Sequence, residues 1–274
     1  MDDVFPIIPA FGWQFGAAFA PGLEYAVSPD ALMKPLSDCK LYTFVDTAYL
    51  RGRSAESVAR ELCDGGSDII QLRAKDSSEE QIRATAESIL PICEQSGVRL
   101  VINDYPRIAF ELSQKASRGE CVGCHLGQED FFDGGHGSVS DLRVAYGESR
   151  GRRASTPDVV PYNVGIEAVP HCFIGLSSHA PAQAERAVAA GADYIAIGPI
   201  YSTATKPTAK AVTLQYVRWA AANVSTPWFA IGGVNLATLD AVLEAGATRI
   251  CVVSGILNAD DVAGVCAEFR RRVG

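Results

Sequence analysis

The chain has 274 residues, 48% hydrophobic and 20% charged, and its 24 basic and 32 acidic residues give a formal net charge of −8. This composition is typical of a globular protein and excludes a disordered or collagen-like chain. The acidic balance argues against nucleic-acid binding, which needs a basic face, so any anionic ligand must be held by a few local basic groups.

The first 40 residues predict an irregular arm, because prolines and glycines interrupt the apolar stretches within them. Asp2 and Asp3 stand where a signal peptide needs positive charge, and no apolar run reaches the roughly 20 residues of a membrane helix. We therefore expect a cytoplasmic protein with no membrane partner. Met33 lies shortly before Leu41, where regular structure is predicted to begin, so we also expect part of the arm to be dispensable, or translation to start at Met33.

From Leu41 onward, short apolar runs alternate with longer amphipathic segments. Each run is rich in valine and isoleucine and is bounded by glycine or polar residues, which is typical of strands buried on both faces. The pattern predicts eight strands, over residues 41–45, 68–72, 99–102, 121–126, 172–176, 194–197, 228–231 and 250–253.

The segments between these strands predict helices. Ser54 is a candidate N-cap, as are Ser77 and Ser78 at the start of the second helix. Glycines after residues 64, 190 and 245 are candidate helix stops, since glycine adopts positive φ readily. Eight strand-then-helix units predict an α/β fold with a single (β/α)8 barrel, or TIM barrel, over residues 41–274; a doubly wound open sheet is the alternative. The predicted helices cover residues 54–63, 77–95, 140–146, 180–190, 214–223, 235–245 and 259–272.

Residues 148–170 are a polar insertion between the fourth and fifth units of the barrel. Because the insertion follows a helix and precedes a strand, it falls at the amino-terminal end of the barrel, away from the strand ends that carry function. We therefore expect a surface loop and not a lid, with Arg152 exposed to solvent.

The eight cysteines are expected to be reduced thiols, because the chain carries no export signal. One cluster, Cys121-Val-Gly-Cys124-His125, matches the C-x-x-C-H pattern of haem attachment. The cluster runs directly into an apolar strand and lacks a second ligand pair that would complete a zinc site. We expect these cysteines to pack in the core, and His125 to be a hydrogen-bonded interior side chain.

Polar groups after the second, third and fourth strands suit a diphosphate. Alternation along Gln71-Leu-Arg73-Ala-Lys75 points the three polar side chains the same way. Asn103-Asp104 and Asp130 follow the next two strands, and Mg²⁺ is usually held by one or two carboxylates together with substrate phosphates. The pattern predicts an anion site with a magnesium ion, although either aspartate could instead cap the next helix.

The remaining strand ends predict a second anion site. Glycines after the seventh and eighth strands of a barrel frequently offer backbone N–H groups to a phosphate. Two anion sites across one mouth suit the joining of a diphosphate substrate to a monophosphate one. The residues of this second group are Thr203, Thr205, Lys206, Gly232, Gly233, Val253 and Ser254, whereas Ser177 after the fifth strand either caps the next helix or donates to the diphosphate.

Seven motifs occur in order along residues 41–274: QLRAK at 71–75, ND at 103–104, HLGQED at 125–130, GLSSH at 175–179, GPIYSTATK at 198–206, AIGGV at 230–234 and VVSGI at 252–256. With them the chain resembles the thiamine phosphate synthase family. The resemblance implies a Mg²⁺-dependent transferase of thiamine biosynthesis. In its reaction hydroxymethylpyrimidine diphosphate loses pyrophosphate to give a stabilised carbocation, which the nitrogen of thiazole phosphate attacks to form thiamine phosphate.

The resemblance also implies roles for individual residues, with the two small molecules as partners and a homo-oligomer left open. The diphosphate is expected to be bound by Gln71, Arg73, Lys75 and Asn103, and the metal by Asp104 and Asp130. The thiazole phosphate is expected to be bound by Thr203, Thr205, Gly233, Val253 and Ser254. Ser177 would contact the diphosphate or the pyrimidine, and Lys206 would bridge to the leaving diphosphate. Arg73, Ser177 and Lys206 are the expected catalytic residues.

Two departures from the family and two alternatives accompany this interpretation. Tyr105 stands where the family commonly has arginine, and residues 207–213 lack the glycine that the family usually places before the next helix. A thiazole tautomerase-like paralogue or a non-catalytic phosphate-ligand-binding barrel would share the fold. Asn103, Asp104 and Asp130 argue against both alternatives, because neither needs the diphosphate and metal residues.

Overall fold

The predicted strands form one closed parallel barrel, in which each strand pairs with its neighbour in sequence and the eighth pairs with the first. The computed structural model describes residues 33–147, 172–202 and 211–274. The register runs from Tyr42 against Ile69 in the first pair to Ala230 against Ile250 in the seventh. Closure of the sheet confirms the (β/α)8 prediction and excludes the doubly wound alternative.

The strand bounds follow the predicted apolar runs closely. The last strand ends at Cys251 rather than Val253, because Val253, with ψ of −92°, turns the chain into a short helix. The strands are β1 (Leu41–Asp46), β2 (Ile69–Arg73), β3 (Arg99–Asn103), β4 (Val122–Leu126), β5 (Phe173–Ser178), β6 (Tyr194–Ile197), β7 (Trp228–Ile231) and β8 (Ile250–Cys251). Almost every strand residue is buried, as expected for strands covered on both faces.

Ten α-helices are described around the barrel. Three of them, over residues 106–115, 128–132 and 254–257, were not predicted from the sequence. Two of these are too short to show an amphipathic repeat, and the third helix begins at Pro106 without a capping side chain. The helices are α1 (Ala55–Asp64), α2 (Glu79–Gln95), α3 (Pro106–Lys115), α4 (Gln128–Phe132), α5 (Val139–Gly147), α6 (Pro181–Ala189), α7 (Thr213–Asn223), α8 (Leu239–Glu244), α9 (Ser254–Leu257) and α10 (Val262–Val273).

Local signals explain where several helices begin. Ser54 Oγ accepts a hydrogen bond from the N–H of Ser57 at 3.1 Å, which confirms the predicted cap of α1. The cap of α2 is Ser78, one of the two serines predicted at its start, in a reciprocal capping box with Gln81. α8 begins four residues later than predicted, because the Asn235 side chain accepts hydrogen bonds from the next residues and holds them in a turn.

An aromatic cluster fills the interior of the barrel near its carboxyl end. Tyr42 and Tyr194 each pack edge-on against Phe229, with ring centroids 5.4 and 5.7 Å apart. Tyr194 on β6 lies directly beside Gly175 of the neighbouring strand β5, where any β-carbon would overlap the tyrosine ring. Glycine at this point of β5 therefore makes room for a tyrosine on β6.

The amino-terminal end of the barrel is closed by residues 33–40 of the arm. Met33 and Cys39 are buried, and Lys34 Nζ lies 2.6 Å from the carboxylate of Asp68. Arg99 donates to the backbone oxygen of Lys34 at 2.8 Å. The arm thus ends as part of the packed structure; the predictions for residues 1–32 and for the 148–170 insertion lie outside the described residues.

The cysteines are free thiols, and all but the half-buried Cys63 are buried. Burial, together with the nearby Glu94 carboxylate, raises the pKa of the Cys121 thiol to about 12. Cys121 and Cys124 both lie in the core, as the packing interpretation of the C-x-x-C-H cluster requires. Among the helices described, none is long and apolar enough to cross a membrane.

Candidate active site

A cavity of about 1110 Å³, measured out to its open mouth, lies at the carboxyl ends of the strands. This is the end at which barrel enzymes carry their active sites. Residues from or directly after all eight strands line it, so side chains far apart in sequence meet there. Its polar and glycine lining comprises Tyr42, Gln71, Arg73, Lys75, Asn103, Asp104, His125, Gly127, Asp130, Ser177, His179, Gly198, Gly232, Gly233 and Ser254.

The end of β2 supplies the cationic wall of this cavity. Arg73 donates to the buried carboxylate of Asp46 at 2.7 Å, and Asp46 is itself held by the N–H of Ala48 at 3.0 Å. The ion pair fixes the guanidinium at the cavity wall while leaving other donors of its planar fork available. Lys75 is exposed at the mouth and, within the described part of the chain, forms no ion pair.

Two carboxylates face the cavity from the ends of β3 and β4. Asp104 adopts a left-handed backbone conformation with φ of 65°, and its Oδ2 accepts from Asn103 Nδ2 at 2.6 Å. A non-glycine residue in this conformation is uncommon and recurs at functional sites. Asp130 lies in the first turn of α4, and its Oδ2 comes within 2.6 Å of where a β-carbon on Gly127 would stand.

Neither aspartate caps a helix. The N-cap of α3 is Tyr105 and that of α4 is Gly127, and neither helix start has a side-chain cap hydrogen bond. The capping alternative considered for Asp104 and Asp130 is therefore wrong. Both carboxylates instead line the cavity beside Arg73 and Lys75.

The donor set fits a magnesium ion that binds together with a substrate. Across residues 33–147, 172–202 and 211–274, His, Cys, Asp and Glu side chains form no group of three or more that could hold a metal by themselves. Mg²⁺ does not require one, since it commonly takes one or two carboxylates and completes its shell with phosphate oxygens and water. Asp104 and Asp130 provide that pair, and Gly127 leaves the space that the Asp130 carboxylate occupies.

A chain of hydrogen bonds crosses the floor of the cavity. Gln71 Nε2 donates to the hydroxyl of Tyr42 at 2.6 Å, and the hydroxyls of Tyr42 and Tyr194 are 3.0 Å apart. Tyr194 Oη lies 3.1 Å from Nδ1 of His125, whose Nε2 lies 2.9 Å from Ser177 Oγ. Burial raises the pKa of both phenols, so both stay protonated at neutral pH.

Sequence reasoning placed His125 in the interior but missed the two tyrosines. Tyr42 and Tyr194 are essentially unexposed and lie in mostly apolar strands, which by itself indicates core packing. Their hydroxyls form a pair only because β1 and β6 face each other across the closed barrel. The one local signal was the phenol, which seeks a hydrogen-bond partner when it is buried.

The ends of β7 and β8 form the opposite wall. Gly233, with φ of 70°, approaches the loop after β6 so closely that a β-carbon would lie 2.6 Å from Cβ of Tyr201. Val253 and Ser254 line the same wall, Ser254 at the first position of α9. Glycine at 233 thus brings the backbone to the cavity surface, where its N–H groups can meet an anion.

All the predicted site residues within the described ranges line this cavity: Gln71, Arg73, Lys75, Asn103, Asp104, Asp130, Ser177, Gly233, Val253 and Ser254. Thr203, Thr205 and Lys206 lie outside the described residues. His179 also lines the cavity but was not singled out; it contacts the backbone oxygen of Gly198 through Nδ1. The cavity therefore gathers cations, carboxylates and hydroxyls at one strand-end mouth.

This fold and this mouth define a (β/α)8-barrel enzyme whose chemistry lies at the strand carboxyl ends. The sequence matches the family described as thiamine monophosphate synthase over residues 41–133 and 158–256. It is 32% identical to the thiamine-phosphate synthase of Halalkalibacterium halodurans over 235 residues, 85% of this chain and 95% of that protein. The chain belongs to the thiamine monophosphate synthase family, and it is a transferase.

A second relative supports the family assignment, and two solved structures share the fold. The thiamine-phosphate synthase of Thermus thermophilus is 37% identical over 211 residues, 76% of this chain and 84% of that one. The solved thiamine phosphate pyrophosphorylase from Pyrococcus furiosus superposes with a TM-score of 0.65 at 22% identity, over 87% of this chain and 96% of that one. The 3-hexulose-6-phosphate synthase from Salmonella typhimurium has a TM-score of 0.55 at 15% identity, over 85% and 98%. At these identities the two solved structures show the fold alone.

Proposed function

We propose that this transferase joins hydroxymethylpyrimidine diphosphate to thiazole phosphate in a Mg²⁺-dependent reaction that yields thiamine phosphate and pyrophosphate. The observation that carries the proposal is one cavity in which a cationic wall, two carboxylates and a glycine–serine wall meet. Both proposed substrates are small anions, so a few strand-end groups suffice to bind them despite the chain's net charge of −8. We place the reaction in the cytoplasm.

The diphosphate occupies the wall formed by β2 and β3 in this proposal. Arg73 is already oriented by Asp46 and offers its remaining N–H donors to phosphate oxygens, and Lys75 adds a positive charge at the mouth. Gln71 and Asn103 contribute amide groups beside them. The arrangement supports binding of a group that carries several negative charges.

Asp104 and Asp130 hold the Mg²⁺ ion in this proposal, as the donor set at the ends of β3 and β4 supports. When bound, the metal offsets the negative charge that builds up on the departing pyrophosphate. Asn103 holds the Asp104 carboxylate through a 2.6 Å hydrogen bond, so this ligand is oriented before the metal arrives. The left-handed conformation of Asp104 supports the same role, because it turns the residue out of the strand at the cavity mouth.

The thiazole phosphate occupies the opposite wall. Gly233 and Ser254 present backbone N–H groups there, and Val253 lines the wall between β8 and α9. We assign Thr203 and Thr205 to the same phosphate by their position after β6, and Lys206 to a bridge toward the departing diphosphate. The two ligands thus enter one mouth from opposite sides, which places the reacting atoms between them.

In the proposed step, the bond between the pyrimidine methylene carbon and the diphosphate oxygen breaks, and the electron pair leaves with pyrophosphate. The thiazole ring nitrogen supplies the electron pair of the new carbon–nitrogen bond. Arg73 and Lys206 stabilise the departing charge, and Ser177 orients the pyrimidine diphosphate. Preorganised charge around the leaving group is the main catalytic contribution that such a site can make.

The test is direct. The purified full-length chain is mixed with Mg²⁺, hydroxymethylpyrimidine diphosphate and thiazole phosphate, and thiamine phosphate and pyrophosphate are measured together. We expect equal amounts of both products, and no product when EDTA removes the divalent cation. Absence of product with thiazole phosphate still bound would overturn the proposal in favour of a phosphate-ligand-binding barrel, and isomerisation of the thiazole alone would favour the tautomerase.

A further inference from the structure

The hydrogen-bond chain on the cavity floor has a direction. An amide nitrogen can only donate, so the Tyr42 hydroxyl accepts from Gln71 Nε2 at 2.6 Å and must give its own proton elsewhere. Its other partner is the Tyr194 hydroxyl, 3.0 Å away. Tyr42 therefore donates to Tyr194, which in turn has its own proton to give.

The direction continues through the histidine. Tyr194 donates to Nδ1 of His125 across 3.1 Å, so Nδ1 carries a lone pair and the ring proton resides on Nε2. Nε2 then donates to Ser177 Oγ at 2.9 Å. Because Ser177 Oγ accepts from the histidine, its own proton is left to point into the cavity that this half-buried residue lines.

We propose that Tyr42 and Tyr194, here called the tyrosine relay, are positioning residues that fix His125 in the Nε2–H tautomer and thereby make Ser177 a hydrogen-bond donor toward the substrate. Because the Gln71 amide nitrogen can only donate, it sets the donor and acceptor of every later bond in the chain. The chain runs from Gln71 on β2 through Tyr42 on β1 and Tyr194 on β6 to His125 on β4 and Ser177 on β5. Neither tyrosine reacts; each sets the direction of the next hydrogen bond.

The packing supports a dedicated relay rather than incidental contacts. Both tyrosines are buried, with 1% and 0% of their surface exposed, so water does not compete for their hydroxyls. Tyr194 reaches its place only because Gly175 leaves the space for its ring. A buried hydroxyl without a partner is costly, so each member of the chain holds the next one in orientation.

The consequence for the substrate rests on the proposed function. A Ser177 hydroxyl held as a donor recognises an acceptor atom, such as an unprotonated ring nitrogen or a phosphate oxygen, and disfavours a donor at the same place. Such a contact discriminates between ligands through the unpaired polar group that a mismatched ligand leaves behind.

The first test needs no substrate. The chain has four histidines, so ¹⁵N-histidine labelling with a His125→Gln variant for assignment resolves the His125 nitrogens by long-range ¹H–¹⁵N correlation. We expect a protonated Nε2 and an unprotonated, hydrogen-bonded Nδ1 in the wild type, and loss of the hydrogen-bond shift at Nδ1 in Tyr194→Phe. A proton on Nδ1 of wild-type His125, or an Nδ1 signal unchanged in Tyr194→Phe, would overturn the relay.

The second test asks whether Tyr194 acts through Ser177. Tyr194→Phe is expected to lower kcat/KM for the pyrimidine diphosphate about tenfold, the worth of one oriented hydrogen bond, without changing KM for thiazole phosphate. In a Ser177→Ala background the same substitution should change kcat/KM less than twofold. An equal loss in both backgrounds would mean that Tyr194 has only a structural role.

Tyr216→Phe is the matched control, because the Tyr216 hydroxyl is also bonded twice, to Ser178 Oγ at 2.5 Å and Ala180 O at 2.8 Å, but lies off the relay. It should leave the His125 signals and kcat/KM unchanged. If the proposed reaction is not observed at all, the tautomer of His125 in the wild type still shows whether the relay exists. Failure of the relay and failure of the proposed function are therefore distinguishable. The wild-type measurement also shows whether the relay exists if Tyr194→Phe does not fold.

Discussion

The two ends of the barrel use the same residue types for opposite purposes. At the amino-terminal end, the buried Asp68 accepts from Lys34 at 2.6 Å and from the N–H groups of Lys40 and Leu41 at 2.8 and 3.0 Å, and Arg270 lies 3.8 Å away. At the carboxyl end, Asp104 and Asp130 line an open cavity. A carboxylate surrounded by donors on all sides stabilises the fold, whereas one turned to a cavity is available to a ligand.

The arginines at the two ends differ in the same way. Arg99 is buried, donates to the backbone oxygens of Glu120 and Lys34, and lies over the ring of Phe173 at 5.3 Å from its centroid. Arg73 pairs with the carboxylate of Asp46 and lines the cavity. The comparison assigns stability to one end of the barrel and chemistry to the other, as in barrel enzymes generally.

The largest effect that would sharpen this comparison is expected from Asp104→Asn. Asparagine tolerates the left-handed conformation, so the backbone keeps its shape while the carboxylate charge is lost. We expect kcat to fall about 10³-fold with little change in melting temperature. Steady-state kinetics and thermal unfolding check this, with Asp133→Asn at the end of α4 as the control. A melting temperature that falls in step with activity would make Asp104 structural.

The next largest effect is expected at the amino-terminal end of the barrel, on stability and not on activity. Asp68→Asn removes a buried charge and leaves Lys34 and Arg270 without their partner, so the free energy of unfolding should fall by about 3 kcal/mol. Activity per folded molecule should stay unchanged. Urea unfolding measures the loss, and the exposed Asp260, paired with Arg51 at 3.6 Å, gives in Asp260→Asn a control with almost no effect. An inactive but fully stable Asp68→Asn would break the comparison.

A smaller effect separates charge from geometry on the cationic wall. Arg73→Lys keeps the positive charge but loses the planar fork that binds Asp46 and the cavity at once, so KM for the pyrimidine diphosphate should rise about tenfold. KM for thiazole phosphate should not change. Arg83→Lys, on the outer face where Arg83 pairs with Glu111, serves as the control and should leave both constants unchanged.

The effect that is smallest at neutral pH concerns the buried thiols around the amino-terminal end. Burial is the main cause that raises the pKa of Cys39 to about 11 and of Cys121 and Cys266 to about 12, from an ordinary value of 9.0. These thiols stay protonated when folded but ionise when unfolded, so their stabilisation is complete below pH 9 and is lost as pH rises toward 12. Each group contributes about 1.4 kcal/mol per pH unit to that decline.

The measurement is the urea midpoint between pH 7.5 and 10.5 under reducing conditions. Cys121→Ala should make the decline above pH 9 shallower by the contribution of one group. Ser113→Ala, which removes a buried hydroxyl that does not titrate, should shift the whole curve and leave its slope unchanged. A slope insensitive to Cys121→Ala would show that this thiol does not titrate differently in the two states.

Most of the architecture could be predicted because its signals are local. Apolar runs, serine caps and glycine stops each depend on a few neighbouring residues; Gly66, Gly191 and Gly246 indeed adopt positive φ after their helices. Helix α3 was missed because Tyr105, which precedes it, provides no cap. The two-residue β8 was predicted too long because Val253 continues the apolar run after the chain has turned.

Some features of the candidate site could likewise be predicted from local sequence, and others could not. Gln71, Arg73 and the two aspartates could be chosen from sequence alone, because the carboxyl ends of parallel strands must meet at one edge. Three other facts could not be predicted: the pairing of Arg73 with Asp46, the positive φ of Asp104, and the contact between Tyr42 and Tyr194. Those facts depend on side-chain positions that only packing sets.

By itself, the sequence determined the eight-fold strand-and-helix repeat and the polar residues at each strand end, since both follow from short-range periodicity and strand direction. Only the tertiary structure decided which of those residues touch. Closing the barrel brings the hydroxyls of Tyr42 and Tyr194, 152 residues apart, to 3.0 Å and turns separate side chains into one directed chain ending at Ser177. The physical reason is that which hydroxyl donates and which accepts depends on all the partners in the hydrogen-bond network. That network forms only when distant strands are packed together.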